Sequence, residues 1–257
     1  MFLVFNKEKI FAYLVSVITV VVLFFVANSI YNNNESISTS AGVTSNLPIY
    51  NVETETNNVS LTINCAWNAD DIDSILETLE KENVKVTFFM VGDWVDKFPD
   101  AVKKISEAGH EIGSHSNTHP HITKLSYEEN VKEIEESSKK IEDLTGKKVN
   151  IYRAPYGEYN DTVIKSATDN GYKTIQWNLD TLDYTGLTGE EMWNRLKDKI
   201  KNGDIILMHN GTKNTANSLE MIIKNIKEKG LNVVPISELI YQDNYTINSN
   251  GTQIKDK

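Results

Sequence analysis

Two histidines four residues apart, His115 and His119 in the run HEIGSHSNTHPH, are the first side chains in this 257-residue sequence to invite a chemical reading. Imidazoles at that spacing on a turn can face one ion, and neutral imidazole is a common ligand for zinc and similar divalent cations. The pair is not the metalloprotease signature, because Ser116 and not glutamate follows the first histidine. His110 and His121 are second choices as ligands, the one preceding an apolar run and the other following Pro120. Further on, Arg153 stands in the run RAPYG. A guanidinium can hold a carboxylate through two parallel hydrogen bonds. The stiff Pro155 and permissive Gly157 would let Tyr156 offer its backbone N–H to a developing oxyanion. His209 closes the run DIILM, and a nearby carboxylate such as Asp180 would raise its basicity and suit it to general acid work. Asp183 reads instead as a loop cap, and Trp67, Trp94 and Trp177 as core or groove walls.

These residues sit at the ends of short apolar runs. Strands are predicted at 61–67, 86–91, 111–116, 151–156, 174–180, 204–210 and 232–237, with helix-spaced or capped segments between them. Ile72, Ile75, Leu76 and Leu79 share one helical face, and Ser126 with Glu129 three residues on is a capping-box pattern for a helix ending at Gly146. About seven strand–helix alternations predict an α/β fold, a parallel sheet with right-handed crossovers that closes, or nearly closes, into a distorted barrel. In such folds chemistry gathers where strands run out into the following loops. Asn64 to Asp71, His115, Arg153, Asp180 and His209 all fall there.

The ends of the chain have a different character. Lys7 and Lys9 precede an uncharged apolar run from Ile10 to Ala27, which with Asn28 to Tyr31 is long enough for a transmembrane helix. The lysine placement predicts a single-pass anchor in the cell membrane with the domain outside; a signal peptide cleaved near Ala27 is the alternative. Residues 32–58 are polar and Ser/Thr/Asn-rich and predict a flexible linker, and 242–257 a disordered tail, leaving 59–241 as the folded domain. A net charge of −10 without a basic cluster argues against nucleic acid as a partner. The single cysteine, Cys65, excludes an internal disulfide.

Taken in order, VTFFMVGDW, GHEIGSHSNTHP, TGKKVNIYRAPYGEYN, WNLDTLDY, DIILMHN and VVPISELI resemble the polysaccharide deacetylase family, the NodB-homology or carbohydrate esterase family 4 domain. The likeness covers 59–241 and is nearest to sporulation and peptidoglycan deacetylases. It implies the NodB-type barrel and metal-dependent hydrolysis of N-acetyl groups on amino-sugar polymers, peptidoglycan first. It implies His115 and His119 as ligands of a divalent metal, zinc above others, and Arg153 as the orienting arginine. Tyr156 becomes an oxyanion donor, and Asp180 the carboxylate behind the acid His209. Leu207 would line the acetyl pocket, with Trp177 and Pro155 also on the substrate side. One motif departs. Where the family has T-F-D-D-G, with base and then ligand, this chain has T-I-N-C-A, so Asn64 occupies the base position and Cys65 the ligand position. An amide has no useful basicity, and losing a positioned base costs roughly 10²–10⁴ in rate. Asp70 and Asp71 read either as replacement ligands or bases, or as first acids of the next helix. Cys65 reads either as a zinc thiolate or as a small buried residue. Two functions stay open: an active deacetylase, and a catalytically impaired glycan-binding protein of the same fold.

Overall fold

The computed structural model describes residues 47–256. The segment 10–31 expected to span a membrane, and the linker up to residue 46, lie outside the described residues.

Side-chain alternation builds the central sheet. In β2 (Asn58–Cys65), Val59, Leu61, Ile63 and Cys65 join the apolar cluster shared with the helices, which leaves Ser60, Thr62 and Asn64 on the opposite face. The other strands are β1 (Asn51–Val52), β3 (Thr87–Met90), β4 (Glu111–Ser114), β5 (Ile151–Tyr152), β6 (Lys173–Thr174), β7 (Leu179–Asp180), β8 (Ile205–His209) and β9 (Asn232–Val233). Seven run in parallel in the order β6-β5-β4-β3-β2-β8-β7, and β9 adds to the start of β2. The expected α/β architecture is observed as a seven-strand parallel half-barrel. Its inner face carries Phe89, Ile151, Ile175 and Ile205. A Cβ at Gly113 would lie 2.7 Å from the Phe89 ring and 2.8 Å from Ile151, so only glycine lets that ring lie flat inside.

Helices α1 (Ile72–Lys81), α2 (Gly92–Lys97), α3 (Pro99–Glu107), α4 (Tyr127–Thr145), α5 (Asp161–Asp169), α6 (Gly189–Leu196), α7 (Thr215–Glu228) and α8 (Ile236–Leu239) pack around the sheet. The start and stop signals hold. Ser126 and Glu129 form the reciprocal capping box of α4, and left-handed Gly146 ends it. Asn160 caps α5. Three expected elements come out shorter. The run 174–180 splits into β6 and β7 because Asn178 turns aside to bond Asp204 and the Ile205 N–H. The helix expected over 188–201 stops at Leu196, and Pro235 turns the last strand into α8.

Both polar ends of the domain are ordered, which corrects the expected boundaries. Ile49 runs parallel to Ile175 and Asn51 antiparallel to Asp204, so this segment bridges the end of β6 and the start of β8. The tail expected to be disordered forms β10 (Tyr245–Ile247) and β11 (Thr252–Lys255), and β11 pairs with β1. Gln253 is fully buried and bonds the Tyr241 backbone in both directions. The folded domain therefore begins before residue 59 and runs past 241. A Cβ at Gly203 would stand 1.8 Å from the Val52 carbonyl oxygen, so glycine there is what lets β1 close in.

Candidate functional site

The carboxyl ends of the parallel strands bring the expected residues to one mouth. Asn64, next to last in β2, pairs in register with His209, which ends β8; His115 follows β4 and Arg153 follows β5. They surround a cavity of about 460 Å³ whose walls include Asn64, His115, His119, Asp180, Leu207 and His209. Backbone strain gathers here. Ser116, His119, Tyr156 and Leu182 all hold positive φ between 53° and 66°, a conformation costing on the order of 1 kcal/mol or more for a side chain with a Cβ.

Arg153 is fully buried and organises the floor. Its Nη1 donates to Thr62 Oγ1 at 2.8 Å and to Asn64 Oδ1 at 3.0 Å, its Nη2 to the Gln176 carbonyl and its Nε to that of Ile175. The guanidinium lies 4.1 Å from the centre of the Phe89 ring. Burial draws its pKa down to about 9, with Asp180 acting in the opposite sense.

That contact fixes which way the Asn64 amide points. Arginine only donates, so Oδ1 must face it, and Nδ2 then faces His115 Nε2 at 3.2 Å. The His115 Nδ1–H donates to the Arg153 carbonyl at 2.8 Å, leaving Nε2 as the acceptor. The ring lone pair best placed for a metal is thus engaged by an amide N–H. Burial, with His119 and Arg153 nearby, holds His115 well below the usual imidazole pKa, so it is neutral. His119 lies beside it, ring centres 4.9 Å apart, and burial lowers its pKa as well. Its loop is tied down by Glu133 of α4, whose carboxylate accepts the backbone N–H groups of Asn117 and Thr118 at 2.8 Å and the Thr118 hydroxyl.

On the opposite side the carboxylate behind His209 is Asp183, a correction to the expected Asp180. Fully buried Asp183 accepts His209 Nδ1–H at 2.8 Å, the His209 backbone N–H at 2.6 Å and the Thr215 hydroxyl at 2.7 Å. Asp180 accepts the Leu182 N–H and lies on the cavity wall. The 3₁₀ turn Asp183–Thr185 carries the later acid inward, which its place in a loop did not reveal. Leu207 and Trp177 line the cavity. Pro155 is instead buried beneath the turn that presents Tyr156. Sequence reading also missed Glu133 and Thr215, both on helices remote in sequence from the groups they hold.

The residues present do not fit the metal that the resemblance implies. Asp71 is engaged with Asn210 and the Gly211 N–H, and burial raises its carboxyl pKa. Asp70 is exposed in the turn before α1. Both precede that helix, Asp71 at its N-cap position without a capping bond, and Asp73 is its first-turn acid; neither Asp70 nor Asp71 borders the cavity, which removes them as ligands or bases. Cys65 packs in the outer core, where burial pushes its thiol pKa up and opposes a thiolate. Among the described residues no three His, Cys, Asp or Glu side chains assemble to hold an ion.

A family model for polysaccharide deacetylase matches residues 51–175. The uncharacterized protein YlxY of Bacillus subtilis is 36% identical over 75% of this chain and 60% of its own length. A peptidoglycan-N-acetylglucosamine deacetylase of Bacillus cereus is 31% identical over 70% of this chain and 67% of its own. The crystal structure of wild-type BA3943, a CE4 family pseudoenzyme from Bacillus anthracis, superposes with a TM-score of 0.73 at 38% identity, over 76% of this chain and 69% of that one.

Proposed function

This chain belongs to the polysaccharide deacetylase family, and from that premise we propose that it binds N-acetylated amino-sugar polymers, peptidoglycan first among them, without hydrolysing them. One observation carries the reading: Asn64 is bonded at both ends, to Arg153 and to His115 Nε2. In that state it neither accepts a proton from water nor leaves the histidine free for an ion. The family's hydrolysis of the acetamido group uses a divalent metal and a base, and this floor supplies neither. What remains can bind. His209 and Asp180 border the cavity, while Ala66, Ala154 and Leu207 offer an apolar wall suited to an acetyl methyl group. The similarity to BA3943, itself a CE4 pseudoenzyme, supports this choice over an active deacetylase. The apolar segment at 10–31 would hold the domain on the outer face of the membrane, within reach of the wall.

The test measures binding and acetate release together, on the full chain with chito-oligosaccharides or muropeptides in the presence of zinc or cobalt. Binding without acetate release is expected. The double variant Asn64→Asp/Cys65→Asp, which restores the family's pair of acids, is expected to gain acetate release. Metal-dependent release by the natural chain, abolished by His115→Ala, would overturn the reading.

A further inference from the structure

The amino ends of the parallel strands, opposite the cavity described above, carry a second polar feature. Three neighbouring strands are each entered through basic residues: Lys85 before β3, His110 immediately before β4, and Lys147 with Lys148 before β5. The order β5-β4-β3 gathers them at one place with His110 in the middle. Lys85 Nζ donates to the Ala108 carbonyl at 2.6 Å and Lys147 Nζ to the Ser106 carbonyl at 2.7 Å, both where α3 ends. Carbonyl dipoles hold these ammonium groups without cancelling their charge.

Between them His110 is only 3% exposed. Its Nδ1 accepts the Val86 N–H, so Nε2 carries the proton, and among the described residues no acceptor meets it. Burial and then the two lysines press the ring's pKa down, which reports a positive field around it. The ring borders a cavity of about 100 Å³ together with Thr145, Lys147 and Lys148. At roughly 30 Å³ per water this is room for about three waters, and so for one compact oxyanion and not for a sugar. Glu111 is the carboxylate on that wall, and it is engaged with the Thr87 hydroxyl and the Ser237 N–H. A neighbouring cavity that His110 also borders carries Asp73, Glu77 and Glu80, which would repel an anion. The Lys147 side is therefore the place for one.

We propose that this recess binds a phosphate group, with His110 Nε2–H donating the buried hydrogen bond and Lys147 and Lys148 supplying the charge. Lysine serves phosphate as a point charge and needs no fixed fork. A phosphate presents three acceptor oxygens to donors that come from three sides, whereas a carboxylate has two. The phosphate is either free or the terminal monoester of a lipid headgroup, since both present the same oxygens. The site stands apart from the glycan cavity and does not depend on the reading given to it.

Isothermal titration of the full chain with inorganic phosphate, in nonionic detergent at neutral pH with chloride at matched ionic strength as the control, tests this. Saturable binding that chloride does not reproduce is expected. His110→Asn keeps an acceptor for Val86 and removes the Nε2 donor, and should weaken phosphate binding by about tenfold. Lys147→Gln and Lys148→Gln, both at exposed positions, should each weaken it several-fold and serve as the test if His110→Asn does not fold. Short-chain phosphatidic acid that binds more than about tenfold tighter than phosphate would assign a lipid headgroup, and equal affinities a free phosphate; either result sustains the site. No saturable binding, an equal effect of chloride, or variants that all bind like the natural chain would overturn it.

Discussion

The two halves of the site have fared differently. On the β8–β7 side, His209, Asp183 and Thr215 form a fully bonded acid dyad with a hydroxyl behind it. On the β2–β4 side, an arginine, an amide and a histidine have closed into a network of their own, and among the described residues no third ligand joins the two histidines. The first half keeps a geometry that chemistry would use. The second keeps only its shape. The contrast teaches that a buried polar network is held in place by stability alone, because an unpaired polar group inside a protein is costly whatever its chemistry.

If the altered half is now structural, breaking it should cost most. Arg153→Ala removes the donor to Thr62, Asn64 and two carbonyls at a position with no solvent access. A loss of about 3–5 kcal/mol is expected from urea denaturation. A loss under about 1 kcal/mol would mean that the network holds nothing together.

The next effect tests whether one atom separates this half from a metal site. Asn64→Asp replaces the N–H facing His115 Nε2 with an oxygen, while the other oxygen stays on Arg153. Zinc should leave the natural chain's stability unchanged. It should raise the variant's by roughly 2–3 kcal/mol once free zinc exceeds its Kd about a hundredfold. Equal stabilisation of both, read from melting curves, would break the comparison.

The retained half makes a smaller claim. Asp183→Asn keeps the volume but weakens the four hydrogen bonds that the buried carboxylate accepts, and a cost of about 1.5–2.5 kcal/mol is expected. Asp180→Asn, with one such bond, should cost less than about 1 kcal/mol. Reversed ranks would return Asp180 to the role first expected of it.

Much of this was legible beforehand, and the reasons differ by region. Strand periodicity and helix caps are local, so the parallel half-barrel and the convergence of His115, Arg153 and His209 could be read from runs such as EIGSHS and DIILMHN. The substitution at Asn64 was visible too, but its consequence was not. That consequence depends on an amide orientation set by Arg153, 89 residues away. The choice between Asp180 and Asp183 turned on a single 3₁₀ turn. The closing seam was the least legible. Ile49 and Val52 are buried against Phe89, Ile151 and Ile205, and Gln253 against Tyr241, and not by any periodicity of their own, so polar composition made both ends look unfolded.

Acid sensitivity gives the smallest effect and separates the site from the scaffold. His110 sits just before β4, at the end of the barrel away from the cavity, and accepts the Val86 N–H through Nδ1 against the Phe88 ring. Burial lowers its pKa from 6.5 to about 4, helped by Lys85 and Lys147. Folding therefore favours the neutral ring. The stability this represents is fully present above pH 6.5 and is lost as the pH falls toward about 4. Between about pH 7 and pH 5 the natural chain should lose on the order of 1–2 kcal/mol through this residue. His110→Asn keeps an acceptor for Val86 without the titration, and chemical denaturation at the two pH values should show that portion gone. Whatever acid loss persists in the variant then belongs to other groups, the buried histidines of the altered half among them. An unchanged pH dependence would show that His110 is not held neutral by the fold.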